Sequence, residues 1–245
     1  MARLASVTWV WAMALGTRTT RWIAAVSLAV NVALALVWGA RHLWQRAPSA
    51  PSREQVRAGL FHELAAGSAA HRDVVVLGDS LTDRGEWWEL LERPVANRGI
   101  AGDTIEGVRA RLDDIVALEP RVVFVLIGVN DLLAGTSPEA LAIRHAALVA
   151  ELRQRLPHTR IVVESLLPIR EELVTRDVPL ASATVRRANE LLRSGATGAG
   201  ADWLDVNAGL SDATGELDIR YSSDGLHLSA AGYRAWAARL RPYLP

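Results

Sequence analysis

The chain has 245 residues, half of them hydrophobic, and its 27 basic residues balance 27 acidic ones. Zero net charge without a basic patch argues against nucleic-acid binding, and the lack of cysteine excludes a disulfide framework, a thiol nucleophile and a cysteine-based metal site. No HExxH or similarly spaced ligand cluster occurs, so neither a metal nor any other cofactor is expected.

Leu4 to Gly16 is apolar but too short to span a bilayer, and a start at Met13 would leave an ordinary basic n-region ahead of the apolar anchor that follows. Trp22 to Ala40 is uncharged and of spanning length. Arg18 and Arg21 precede it, Arg41 and Arg46 follow it, and Trp22, Trp38 and Trp44 stand near its ends, as interfacial tryptophans do. A cleavable signal peptide is the rival reading. A Pro/Ser/Ala linker follows, Ala47 to Ser52. The expected division is a cytoplasmic or mis-started segment at 1–21, a membrane helix at 22–40, a linker at 41–53 and a soluble domain at 54–245.

From Asp73 onward strands and helices alternate. Val74 to Leu77 is a short β-branched run, apolar on both faces, and suits a buried parallel strand. Asp79 and Ser80 follow at its carboxyl end, the edge where ligands bind in open α/β sheets. Trp87 and Trp88 then either wall a cleft or pack the first helix onto the sheet. Val95 to Gly99 is a second strand. It leads into Gly102, Asp103 and Thr104, where glycine allows close backbone approach to a ligand. Glu106 to Leu118 has helical apolar spacing. Arg121 to Gly128 is a third strand, followed by Asn130 and Asp131, a strand-end turn whose Asn side chain is a hydrogen-bond donor. Ser137 and Pro138 open a helix that runs to about Leu156. A strand at Ile161 to Leu166, a helix from Pro179 to about Ser194, a strand at Ala201 to Val206 and a helix from Ser229 to about Leu240 complete the chain. Such alternation predicts a parallel sheet covered by helices on both faces, a three-layer α/β/α sandwich.

Ser80 needs a base to become a nucleophile. Of six histidines, His42, His62, His71, His145 and His158 read as solvated or capping residues. His227 differs, because Asp224 lies three residues before it in YSSDGLH. One turn places that carboxylate beside the imidazole; the bland alternative is a turn and a helix cap. Gly102 and Asn130 are candidate donors to an oxyanion.

Four blocks, GDSL at Ser80, GIAGDT at Gly102, GVND at Asn130 and DGLH at His227, occur in this order. With all four, residues 54–245 resemble the SGNH, or GDSL, hydrolase superfamily. NRGIAGDT and ESLLPI (Glu164 to Ile169) are most similar to platelet-activating-factor acetylhydrolase catalytic subunits and their bacterial esterase relatives. The resemblance implies a five-stranded, flavodoxin-like strand order. It implies Ser80 as nucleophile, His227 as base, Asp224 as its partner, and the Ser80 amide, Gly102 amide and Asn130 side chain as oxyanion hole. Asp79 and Asp131 would hold their turns. The expected reaction is hydrolysis of short, acetyl-like esters of a small-molecule, glycan or lipid substrate. Transfer of the acyl group to a glycan hydroxyl uses the same groups, and an anchored binding module is the non-catalytic alternative. The linker and the substrates of the resembled family favour a periplasmic or extracellular domain.

Overall fold

The computed structural model describes residues 17–46, 51–67, 72–174 and 180–245. The expectations for Leu4 to Gly16, Met13, His71 and Ala47 to Ala50 lie outside these residues. The chain divides into two units, Met1–Ala50 and Pro51–Pro245.

The first unit contains helix α1 (Thr17–Arg46). Its segment Arg21–Trp38 has a mean hydropathy of 1.7 and none of it is buried. This helix is long and apolar enough to cross a membrane or to serve as a signal sequence.

The second unit opens with α2 (Arg53–Gly67). Strand β1 (Val74–Gly78) follows, then the short helices α3 (Ser80–Asp83) and α4 (Trp87–Leu91), and β2 (Ala96–Gly99). Next come α5 (Ile105–Ala110), α6 (Leu112–Val116), β3 (Val122–Leu126), α7 (Val129–Leu133) and α8 (Pro138–Arg155). The chain closes with β4 (Arg160–Glu164), α9 (Ser182–Gly198), β5 (Asp202–Leu204) and α10 (Ala230–Leu240). All strand pairs are parallel, in the order β2-β1-β3-β4-β5. Every residue of β1 and β3 is buried, which requires helices on both faces. This is the flavodoxin-like order, and its switch point lies between β1 and β3.

Local chemistry explains most boundaries. Ser137 caps α8 through the Ala140 amide, with Pro138 at the first turn, and Ser229 caps α10 through the Gly232 amide. Caps of this kind contribute about 1 kcal/mol each. Elsewhere packing overrides the local pattern. The helix expected over 106–118 is broken at Arg111, whose side chain is buried. Helix α9 continues past Ser194 to Gly198, where Ala196 is fully buried. Strand β5 is shorter than Ala201 to Val206, being an edge paired only with β4. For helix α2 the sequence places His62 in a helix-like stretch but gives no bounds. Phe61 and Ala65 are buried while Val56, Leu60 and Leu64 are exposed, so only part of its apolar stripe packs on the domain.

Candidate active site

The GDSL, GIAGDT and GVND blocks lie just past the carboxyl ends of β1, β2 and β3. Ser80 is the first residue of α3, and Asp79 caps that helix by accepting from the Leu81 amide at 3.0 Å. Asp79 is fully buried, and this desolvation, with Asp103 and Asp131 nearby, pushes its carboxyl up to about 7. Tyr233 of α10 donates to the Leu81 carbonyl at 2.7 Å. Trp87 donates to the Thr82 carbonyl at 2.8 Å and packs edge-on against Tyr233 and Trp236. Trp87 is therefore core, whereas Trp88 is exposed.

Ser80 Oγ lies 3.2 Å from His227 Nε2, across 147 positions of sequence. His227 Nδ1 lies 2.7 Å from Asp224 Oδ2, and Asp224 Oδ1 accepts from the backbone amides of His227, at 2.7 Å, and Leu226, at 3.0 Å. Partial burial opposes the charge on Asp224, but these bonds outweigh it and hold its carboxyl well below the ordinary range. With Nδ1–H donating to this carboxylate, Nε2 is left to accept from the Ser80 hydroxyl. A cavity of about 360 Å³ opens at Asp224 and His227, lined also by Arg84, Ile219, Arg220 and Leu228.

Gly102 has φ +83°, a conformation that side chains rarely adopt. Glu54 of α2 lies 3.2 Å from where a Cβ would stand. Asn130 Nδ2 donates to the Asp103 carbonyl at 2.8 Å. That bond fixes the amide and uses one of its two hydrogens. Asp131 Oδ2 accepts from the Ile105 amide at 3.1 Å, tying α7 to α5. Burial raises the Asp131 carboxyl above its ordinary value.

Three features had not been anticipated. Asp103 is held by Arg111 through two bonds to Oδ2, at 2.9 and 2.8 Å. Arg57 of α2 donates to the Gly99 carbonyl at 2.7 Å and pairs with Asp83 at 2.7 Å. His145 is buried rather than solvated; it faces inward from α8, and desolvation lowers its pKa to about 4. His62 is exposed, as read, but its Nδ1 lies 2.9 Å from Asp114. Asp103 lies within the GIAGDT block, but nothing in the linear pattern marks Arg111, Arg57 or His145. Their roles come from elements meeting in space. Among the described residues no group of three metal-ligating side chains gathers.

The GDSL-like Lipase/Acylhydrolase family matches residues 64–235. No curated protein matches the chain. Among solved structures, a Streptococcus pneumonia protein described as a platelet activating factor is 25% identical. The match covers 87% of this chain and 99% of that one, with a TM-score of 0.72. A GDSL-like lipase from Bacteroides thetaiotaomicron VPI-5482 is 18% identical, over 76% of this chain and 96% of its own, with a TM-score of 0.66. Axe2, an acetylxylan esterase from Geobacillus stearothermophilus, is 20% identical, over 70% and 94%, with a TM-score of 0.57. The last two likenesses concern the fold alone.

Proposed function

The chain belongs to the GDSL-like lipase/acylhydrolase family, and from that premise we propose that it hydrolyses short-chain, acetyl-like esters through an acyl-enzyme on Ser80. The single observation that carries this reading is the hydrogen-bonded series Ser80 Oγ, His227 Nε2, His227 Nδ1 and Asp224 Oδ2, with separations of 3.2 and 2.7 Å. Ser80 Oγ attacks the ester carbonyl as Nε2 takes its proton. Asp224 keeps the ring in the required tautomer and stabilises the imidazolium that forms. The tetrahedral oxyanion is received by the amides of Ser80 and Gly102 and by the second hydrogen of Asn130 Nδ2, donors of the kind worth about 3–4 kcal/mol each. The imidazolium returns its proton to the departing alcohol. Water, activated by the same imidazole, then releases the acid.

The preference for a short acyl group is supported by the short connections that follow β1, β2 and β3, which leave little chain for a lid. Axe2, with a similar fold, is named for an acetyl ester. Helix α1 is proposed as a membrane anchor, with the hydrolase domain on the periplasmic or extracellular side and a small-molecule, glycan or lipid ester as substrate.

Turnover of p-nitrophenyl esters from acetyl to decanoyl tests both parts. Wild-type protein is expected to favour acetyl and to be labelled by a fluorophosphonate, and Ser80→Ala to lose at least about 1,000-fold in kcat and all labelling. A Ser80→Ala variant within a few-fold of wild type would overturn the nucleophile, and a decanoyl optimum would overturn the acyl preference.

A further inference from the structure

Arg111 sits where the backbone leaves helical geometry between α5 and α6, with φ −120° and ψ 20°. Its side chain is buried, only 7% exposed, and turns inward. Nε and Nη2 both donate to Asp103 Oδ2, and Nη2 also donates to the Gly78 carbonyl at 3.2 Å. Burying a guanidinium is costly, and replacing such a pair by apolar packing often stabilises a protein. The charge therefore calls for a reason beyond holding two short helices together.

That reason lies in what the two acceptors control. Gly78 ends β1, immediately before Asp79 and Ser80, and its carbonyl also accepts from the Ile100 amide at 3.1 Å. Asp103 follows Gly102 directly. Its carbonyl receives Asn130 Nδ2, its Oδ1 receives the Thr104 amide at 3.0 Å, and its own amide donates to the Ile100 carbonyl at 3.1 Å. One guanidinium thus joins the strand end that carries Ser80 to the residue linked to both proposed oxyanion donors outside that strand. The sequence makes room for the arrangement, because an added Cβ at Gly107 would overlap Asp103 Oδ1.

We infer that Arg111 is a positioning residue of the oxyanion hole: by clamping the Asp103 carboxylate to the Gly78 carbonyl it fixes the Gly102 amide and the Asn130 side chain relative to Ser80. The inference rests on the esterase reading above. Arg111 touches no substrate, so its removal acts on the transition state through donor placement, and ångström-scale misplacement costs about 100-fold in rate.

The test uses the full chain in detergent with p-nitrophenyl acetate, alongside Ser80→Ala, and follows each variant's melting temperature. Arg111→Ala is expected to lower kcat about 10- to 100-fold with KM within about twofold, to slow fluorophosphonate labelling in parallel, and to recover several-fold in millimolar guanidinium ion. Arg111→Lys, which keeps the charge but not the fork, is expected to stay impaired and not to respond to guanidinium. Should Arg111→Ala fail to fold, Gly107→Ala displaces the same carboxylate while leaving Arg111 in place, and the same fall in kcat is expected. Unchanged kcat in the folded variants, or a loss that matches the unfolded fraction and resists rescue, overturns the inference. Activity surviving in Ser80→Ala overturns the underlying esterase reading instead, so the two failures are separable.

Discussion

Asp224 accepts four hydrogen bonds from one short turn, two from backbone amides, one from the His227 ring and one from the Ser222 hydroxyl. Its carboxylate is therefore built into the turn that presents the imidazole. Asp224→Asn keeps the shape and can still accept the backbone bonds, but it removes the charge that stabilises an imidazolium. The expected outcome is a fall in kcat of about 100- to 10,000-fold with KM little changed, read from steady-state kinetics on p-nitrophenyl acetate. An Asp224→Asn enzyme with unaltered kcat would remove Asp224 from the mechanism. The spacing of Asp224 and His227 was legible because it is local: three residues and one turn set that contact. The meeting of His227 with Ser80 spans 147 positions, so local spacing gave no measure of it; the serine's need for a base and the resemblance pointed to it. Asp103 stood in the GIAGDT block, but its pairing with Arg111 was not legible, since an arginine among polar helix positions looks the same whether it points to water or into a core.

At the scale of elements, helix α8 shows why a single sequence misleads about burial. Its caps and its apolar Leu141, Leu148, Val149 and Leu152 follow the expected pattern. His145 shares that inward face, one turn after Leu141 and just before Leu148, and is 1% exposed. Burial lowers its pKa to about 4, so the folded chain resists a proton that the unfolded chain binds near pH 6.5. Its contribution to stability is full above about pH 6.5 and is lost as pH falls through that value towards 4. Linkage sets the loss on the order of 3 kcal/mol. Urea denaturation at pH 7 and pH 4.5 should therefore show a smaller drop for His145→Leu than for wild type; an equal drop would mean that His145 is protonated at no cost. Helix α9 also runs past its expected end. Gly195 and Gly198 lie inside α9, and burial of Ala196 outweighs their weak helix propensity.

Across the whole molecule, the two units face different solvents in the proposed picture. The apolar surface of α1 from Trp22 to Trp38 is exposed, and water alone is a poor solvent for such a helix. The full chain is expected to remain with the membrane pellet after alkaline carbonate extraction, and its hydrolase domain to be digested by protease added to cells with a permeabilised outer layer. Release by carbonate would overturn the anchor, and protection from protease would reverse its orientation. The proposed site lies at the carboxyl edge of the sheet, beside the β1/β3 switch point. The core below it is a fully buried parallel sheet, and the residues that face substrate come from connections, which vary without disturbing the core.

What the sequence determined by itself is whatever short-range chemistry encodes. That includes the β-branched runs that become β1 and β3, the capping serines of α8 and α10, the Asp224–His227 turn, and an apolar segment long enough to span a bilayer. The four ordered blocks added the family and, through it, the strand order. Only the tertiary structure decided which polar groups are buried together. Arg111 on Asp103, Arg57 on Gly99 and His145 inside α8 depend on how helices from distant parts of the chain settle on the sheet. The cost of hiding a charge or an imidazole is a property of that assembled environment and is written in no single stretch of residues.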